Sequence, residues 1–146
     1  MNKKVSLRFF FEQVGDTGCG VCVVNTILKK YDLRGLIFLF TKKKGTSSKR
    51  IICELRKAGL KAKSKTISIR NLKEWSILWY PPRGKRSGDH YVVVGEIKNG
   101  MFLIYDSEKK EPYWEEAPAL KKKWYRWYHN RWCGWVIEVR KPNGKG

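Results

Sequence analysis

The first half of the chain carries apolar residues at helical spacing. Between residues 21 and 31 the apolar side chains recur every three or four positions, which predicts a helix over 21–31. The same spacing predicts a second helix over 49–58, with Ser47 or Ser48 as its N-cap and Gly59 as its C-cap. Both helices have one apolar face, so each is expected to pack on a common core.

The second half of the chain has the shorter, alternating or continuous apolar runs that are typical of strands. We expect a short turn of helix over 71–75 and strands over these ranges: 60–69, 77–80, 90–97, 101–106 and 135–139. Helices followed by strands predict an α+β fold, in which N-terminal helices pack on a C-terminal antiparallel sheet.

The segment Lys98-Asn99-Gly100 separates two of these strands and is a strong hairpin signal. If Ile97 pairs with Met101, Asp106 lies opposite Val92, which shares a strand face with His90. Asp106 is then a diagonal neighbour of His90, within reach of a side-chain hydrogen bond. A register shift of one residue would place the two side chains on opposite faces.

Aromatic and basic residues alternate along 121–135. Our preferred interpretation is a helix that places its aromatic residues in the core: Trp124, Trp127, Tyr128 and Trp132. Binding of this segment to nucleic acid, by base stacking and phosphate pairing, or to a membrane interface stays open. His129, the second histidine, is expected at the surface.

Composition limits the class of protein. The 146 residues include 42% hydrophobic and 14% aromatic residues, which excludes a disordered chain. The net charge of +19 is spread along the whole sequence and attracts polyanions, so an acidic partner, nucleic acid or an anionic membrane surface is a candidate partner. We expect one domain over 1–140 and a flexible basic tail over 141–146.

No apolar run approaches the roughly 18 residues of a membrane span, and basic and acidic residues interrupt the N-terminus where a signal peptide would need an apolar run. We therefore predict a cytoplasmic protein whose four cysteines are thiols.

A candidate nucleophile lies where a glycine-bearing turn meets the first predicted helix. At a helix start, unpaired N–H groups and the helix dipole favour an anion, so the position of Cys19 favours thiolate over thiol. Gln13, six residues upstream, could supply an amide N–H beside the sulfur. His90 and Asp106 follow far downstream, and this order is typical of a papain-type thiol hydrolase.

The sequence resembles the papain-like peptidases that trim double-glycine leaders from bacteriocin and peptide-pheromone precursors, usually fused to an exporting ABC transporter. The motifs that carry the resemblance are Gln13, Cys19, Gly20 and Cys22; Gly45-Thr46-Ser47; Ala58-Gly59-Leu60; His90 with the valine-rich 91–94; and Asp106. They extend over roughly residues 8–140, although Gly18 stands where the family commonly has aspartate. No transporter segment follows, so we expect a stand-alone version.

The resemblance implies a papain-like fold and a cysteine endopeptidase that cleaves a peptide or protein substrate, without a cofactor or metal, after small residues such as Gly-Gly. Cys19 would be the nucleophile, His90 the general base and then acid, and Asp106 the residue that orients His90. Gln13, with the backbone N–H of Cys19, would bind the oxyanion.

Other interpretations remain open. Cys19 and Cys22 form a CxxC pair at a helix start, as in thiol-disulfide proteins. Zinc bound by Cys19, Cys22, Cys53 and Cys133 would need a second close pair, which the sequence lacks. We expect the side chains of Cys22 and Cys53 to be buried in the core without a chemical role. A basic, non-catalytic module that binds peptide or nucleic acid on the same fold is the alternative from a different functional class.

Overall fold

A computed structural model describes residues 8–11, 19–33, 47–82 and 90–142 of the chain. Three α-helices lie in this part: α1 (Cys19–Lys30), α2 (Ser48–Lys57) and α3 (Ala117–Trp124). The strands are β1 (Lys61–Ile67), β2 (Ser76–Tyr80), β3 (His90–Lys98), β4 (Met101–Tyr105), β5 (Tyr113–Glu116), β6 (Tyr125–Tyr128) and β7 (Arg131–Arg140).

Within the described residues, the seven strands form one antiparallel sheet in the order β1-β7-β2-β3-β4-β5, with β6 paired to one end of β7. The predicted α+β fold, with N-terminal helices on an antiparallel sheet that carries His90, is confirmed.

The sheet has a separate apolar core on each face. On one face, α1 and α2 bury Ile27, Leu28 and Leu55 against sheet residues such as Val93 and Ile137. On the other face, α3 covers a second cluster; its members include Leu78, Val92, Ile104, Leu120, Trp124 and Val136. Because side chains alternate along a strand, neighbouring residues of β3 supply the two cores.

The two predicted N-terminal helices are present, with ends shifted by one or two residues. Helix α1 begins at Cys19 rather than at residue 21, and α2 covers 48–57. Ser47 is the N-cap of α2 and accepts a hydrogen bond from the Arg50 N–H at 3.2 Å. The predicted turn of helix over 71–75 is wrong: a 3₁₀ turn occupies Ile69–Asn71 instead.

The C-terminal segment differs most from its prediction. Of the four aromatic residues predicted on a core-facing helix, Trp124 alone lies in a helix and in the core. After Trp124, β6 and the start of β7 form a β-hairpin. Trp127 and Trp132 are exposed, at 57% and 60% of their surface. The expectation of a core-facing helix is therefore wrong for Trp127, Tyr128 and Trp132, because these residues alternate along strands. His129 lies at the turn and is exposed, as expected.

The hairpin of β3 and β4, which we call the His90 hairpin, closes on Asn99 and Gly100, whose φ angles are 51° and 74°. Lys98 pairs with Met101 and Ile97 with Phe102, so the predicted Ile97–Met101 pairing is wrong at the turn. Such a turn needs two residues with positive φ, which Asn-Gly provides at little strain.

A β-bulge then changes the register of the His90 hairpin. Gly95 and Glu96 of β3 face Leu103 alone, and beyond them Val94 pairs with Ile104 and Val93 with Tyr105. Continued by one residue, this register places Asp106 beside Val92, as the sequence predicted. The predicted side-chain arrangement is thus obtained by way of a bulge.

Among the residues that the structure describes, none of the helices has the length and apolar character that crossing a bilayer requires.

Candidate active site

Cys19 is the first residue of α1 and is half-buried against the core under the helices. The N–H groups of a first helical turn have no partner within the helix. The Cys19 sulfur therefore lies at the end of the helix where negative charge is stabilised.

His90 and Asp106 come from the open end of the His90 hairpin. His90 begins β3, Asp106 directly follows β4, and the two side chains are almost fully buried, with 2% and 5% of their residue surface exposed. The Nε2 atom of His90 lies 2.7 Å from Oδ1 of Asp106. The same carboxylate oxygen accepts the backbone N–H of Glu108 at 3.0 Å.

The Cys19 side chain also acts on this imidazole, because it contributes to the raised pKa of His90 both as a hydrogen-bonding group and as a charge. A carboxylate only accepts hydrogen bonds, so Nε2 carries the proton that Asp106 accepts. Nδ1 is then the ring nitrogen left for the sulfur. The structure thus brings Cys19, His90 and Asp106 together.

The site favours a charged imidazole. Burial alone lowers the pKa of His90, but the hydrogen bonds and charges of Asp106 and Cys19 outweigh it and raise the pKa from 6.5 to about 9. Burial would raise the pKa of Asp106, yet the hydrogen bonds from His90 and Glu108 and the charge of Lys109 bring it below its usual value. At neutral pH the pair is an imidazolium and a carboxylate.

Two features that the sequence reasoning missed hold the bulge of the His90 hairpin in place. The Trp75 N–H donates to the Val94 carbonyl at 2.7 Å, and a Glu74 carboxylate oxygen accepts the Ile97 N–H at 2.8 Å. A Cβ on Gly95 would lie 2.6 Å from a ring carbon of Tyr105, so only glycine fits under that ring. The sequence signal was a lone glycine inside a strand.

Without the bulge, the pairing seen at the turn would continue along both strands. Asp106 would then lie opposite Val93 rather than Val92, and its side chain would point away from His90. The one-residue offset is therefore what places the carboxylate and the imidazole on one face.

Glu108 is a second carboxylate at the site, with its oxygen 3.6 Å from His90 Nε2 and its side chain half exposed. The sequence indicates this position through the spacing of Asp106 and Glu108, because an aspartate side chain often accepts the backbone N–H of the residue two positions later. Among the described residues, His90, Asp106 and Glu108 are the group with ligand atoms close enough to hold a metal ion. A cation there would have to replace the His90–Asp106 hydrogen bond.

The remaining predicted positions fall elsewhere. Gln13 lies outside the described residues, so its predicted role stays a prediction. Cys22 is buried in α1, as expected, and Cys133 is buried in β7, but Cys53 is exposed and its predicted burial is wrong. Within the described part of the chain, no three cysteines come within ligating distance of one another.

Comparisons with known proteins identify the family of this chain. The sequence model of the Peptidase C39 family matches residues 9–128, which is most of the chain. The chain belongs to the Peptidase C39 family. It is therefore a cysteine peptidase by family. No curated protein sequence matches the chain significantly.

Solved structures of C39-type domains share the fold. The peptidase domain of Streptococcus ComA, a bifunctional ABC transporter involved in quorum sensing, is 21% identical, with a TM-score of 0.71 over 89% of this chain and 96% of that one. A double-glycine-motif protease from an AMS/PCAT transporter, solved with its leader peptide, is 17% identical, with a TM-score of 0.69 over 90% of each chain.

A third similar structure is the N-terminal C39-like domain of a toxin secretion ATP-binding protein from Vibrio parahaemolyticus. It is 14% identical, with a TM-score of 0.62 over 88% of this chain and 98% of that one. At these identities the likeness concerns the fold, and the C39 assignment rests on the family match.

Proposed function

We propose that this C39 protein is an endopeptidase that cleaves a peptide after small residues such as Gly-Gly, with Cys19, His90 and Asp106 as its catalytic residues. The single observation that carries the proposal is the position of the His90 imidazole, which hydrogen-bonds Asp106 and is close enough to Cys19, at the start of α1, for that side chain to raise its pKa. Family membership supports the reaction class.

The reaction starts from the charged imidazole. With a pKa of about 9, His90 is protonated at neutral pH, and its positive charge lies beside the sulfur that acts as the nucleophile. The thiolate attacks the scissile carbonyl carbon. His90 then donates its proton to the leaving amine, which departs as the thioester forms.

Hydrolysis of the thioester uses the same residues in reverse roles. The now neutral His90 takes a proton from water, the hydroxide attacks the thioester, and the acid product leaves Cys19 free. Asp106 holds the Nε2–H of His90 and stabilises the imidazolium each time it forms.

The oxyanion of each tetrahedral intermediate needs donors. The backbone N–H of Cys19, at the start of α1, is one candidate, and the side-chain amide of Gln13 is the other. Such a donor typically contributes about 3 kcal/mol to transition-state stabilisation.

The substrate we propose is a leader peptide that ends in two glycines. This proposal is supported by the family and by the similar double-glycine-motif protease, which was solved in complex with a leader peptide. Glycine has no side chain to exclude, so the selection of glycine that we propose requires a narrow approach to the Cys19 sulfur.

Cleavage of a synthetic double-glycine leader peptide, extended by several residues beyond the glycine pair, tests the activity. Mass spectrometry should find one cut, after the second glycine. Cys19→Ala should abolish the cut, and His90→Ala should slow it by about 10²- to 10⁴-fold. Cleavage by the Cys19→Ala variant at the wild-type rate would refute the proposal.

Alkylation by iodoacetamide tests the catalytic pair without any substrate. Cys53 is exposed on α2 and provides a second, accessible thiol in the same chain as the control. At pH 6 Cys19 should react much faster than Cys53, and His90→Ala should reduce its rate to that of Cys53. Equal rates for the two cysteines in the wild-type protein would contradict a thiolate–imidazolium pair.

A further inference from the structure

The hairpin formed by β6 and the start of β7, which we call the tryptophan hairpin, has no part in the proposed reaction. Trp127 and Trp132 are the large hydrophobic side chains that the described structure leaves exposed, at 57% and 60%. They are direct cross-strand partners, and their rings meet edge to face, with centroids 5.6 Å apart and planes at 71°. Two adjacent exposed indoles form an apolar patch of the kind that marks an interaction site.

The hairpin holds this pair close to its turn. His129 and Asn130 form the turn, with φ angles of 46° and 67°, and Tyr128 pairs with Arg131 beside them. In such a hairpin the next pair, Trp127 with Trp132, is a pair without hydrogen bonds between its two residues, where side chains approach most closely. The indoles are therefore presented together at the end of a fixed two-stranded element.

Positive charge surrounds the pair. From residue 117 to residue 137 the sequence has five basic residues and no acidic residue. Lys123 is bound to Glu115 at 2.7 Å, and the other four are exposed: Lys121, Lys122, Arg126 and Arg131. The basic side chains of this segment therefore have no acidic residue among their neighbours in sequence, and their positive charge favours an anionic partner.

The cations lie on both sides of the hairpin. Lys121 lies over the ring of Tyr125, at 5.8 Å from its centroid, and Tyr125 shares a strand face with Trp127. Arg126 projects from the opposite face, where its guanidinium lies 5.5 Å from the centroid of the Trp79 ring. Charges on both faces can meet a planar anionic surface that the turn approaches end on.

We propose that the tryptophan hairpin binds the surface of an anionic lipid bilayer. Tryptophan partitions to the level of the lipid headgroups, and basic residues beside it are attracted to anionic lipids. The two indoles meet edge to face, so the edge of one ring covers a face of the other, whereas stacking of nucleotide bases needs open ring faces. The proposal does not depend on peptidase activity, since it uses none of the catalytic residues.

Co-sedimentation with vesicles tests this proposal on the whole chain. The protein should bind vesicles that contain phosphatidylglycerol and phosphatidylcholine far better than vesicles of phosphatidylcholine alone. Trp127→Ala with Trp132→Ala should weaken binding to the anionic vesicles at least about tenfold, since two indoles lose their apolar contact with lipid. Cys19→Ala should bind like the wild type.

A charge variant separates a local effect from the net charge of the whole protein. Lys121→Glu with Arg131→Glu should weaken vesicle binding about 30-fold or more, because two basic residues beside the indoles no longer attract the anionic surface. The matched control, Lys49→Glu with Lys61→Glu, changes the net charge equally at exposed positions outside the hairpin. This control should retain most of the binding.

Several results would overturn the proposal. One is wild-type vesicle binding by the double tryptophan variant with an unchanged circular dichroism spectrum. Equal losses in the two charge variants would show that only net charge matters. Tryptophan-dependent binding of a single-stranded oligonucleotide without tryptophan-dependent vesicle binding would assign the hairpin to nucleic acid instead. A concentration-dependent dimer that the tryptophan substitutions abolish, again without a lipid effect, would assign it to a second copy of the chain.

Discussion

The His90 hairpin and the tryptophan hairpin have the same kind of turn and opposite designs beyond it. Each closes on two residues with positive φ, Asn99-Gly100 in one and His129-Asn130 in the other. The His90 hairpin carries its polar residues at the open end, buried, behind a bulge. The tryptophan hairpin carries its aromatic residues near the turn, exposed, in an uninterrupted register.

The difference shows what the bulge contributes. A regular hairpin suffices to hold two side chains on one face near the turn, as Trp127 and Trp132 show. The His90–Asp106 pair lies far from its turn, where a single-residue register error would separate the two groups. The bulge fixes the register between β3 and β4 at the end of the hairpin that carries His90 and Asp106.

The largest effect expected in this comparison is a loss of activity on substitution of Asp106, at the open end of the His90 hairpin. Asp106→Ala removes the hydrogen bond and the charge at His90, and should reduce kcat/KM about 10³-fold, equivalent to about 4 kcal/mol of transition-state stabilisation. Asp106→Asn keeps an acceptor oxygen for the Nε2–H and should lose less activity.

The pH profile of the Asn variant gives a second measurement. Wild-type kcat/KM should fall as the pH rises through about 9, because His90 then loses its proton. Without the carboxylate charge the imidazolium is less stable, so this alkaline limb should move to lower pH in Asp106→Asn. An unmoved limb would show that Asp106 does not stabilise the imidazolium.

The next largest effect is expected on the stability of the fold, on substitution of Gly134 in the tryptophan hairpin. A Cβ on Gly134 would lie 1.9 Å from a ring atom of Trp124, which is fully buried. Gly134→Ala should therefore lower the free energy of unfolding by about 3 kcal/mol, through displacement of the indole. Urea unfolding measures this change, and a loss below about 1 kcal/mol would show that Trp124 can move aside.

Gly95→Ala tests the bulge and should have a smaller effect on stability. Its Cβ would meet the Tyr105 ring at 2.6 Å, so we expect a loss of about 2 kcal/mol. Displacement of β4 should also misalign Asp106 with His90 and reduce kcat/KM by about 10- to 100-fold.

Gly100→Ala is the matched control for the bulge. Gly100 has no neighbour within 4 Å of its Cβ position but has a φ of +74°, so alanine should cost about 1 kcal/mol of turn strain. Its activity per folded molecule should equal that of the wild type. If Gly95→Ala behaves in the same way, the bulge does not align the catalytic pair.

The smallest expected effect concerns the exposed indoles. Trp127→Ala with Trp132→Ala removes one aromatic pair from solvent-exposed positions and should lower stability by about 1 kcal/mol or less. Thermal unfolding measures it. A loss as large as that of Gly134→Ala would show that the pair supports the fold rather than a partner.

Local signals in the sequence predicted α1, α2 and the position of the turn of the His90 hairpin, but not α3. Ser47 as an N-cap, the apolar spacing along α1 and the Asn-Gly pair each act within a few residues. The assembly of Cys19, His90 and Asp106 also followed from their order and from strand alternation.

The bulge and the C-terminal hairpin depend on tertiary packing, which sequence spacing does not report. The bulge requires Trp75 and Tyr105 to meet Gly95, and these residues are distant from one another in sequence. Residues 124, 127, 128 and 132 have helical spacing, but 125–128 and 131–134 alternate equally well as strands. His-Asn is not among the pairs that strongly signal a hairpin turn.

Cys53 was misplaced for a different reason. It lies between Ile51 and Leu55, which are fully buried, and apolar neighbours in sequence suggested burial. Successive residues of a helix are 100° apart, so a residue midway between two that are four apart lies on the opposite side. The sequence thus contained the correct signal in its helical periodicity.

The dependence of the candidate site on both halves of the chain has a consequence during synthesis. At elongation rates of about 5–20 residues per second, Cys19 leaves the ribosome several seconds before His90 and Asp106. A growing chain therefore holds a cysteine without its base, and α1 can only dock on the sheet after β3 exists. The proposed active site is therefore complete only once synthesis has passed Asp106.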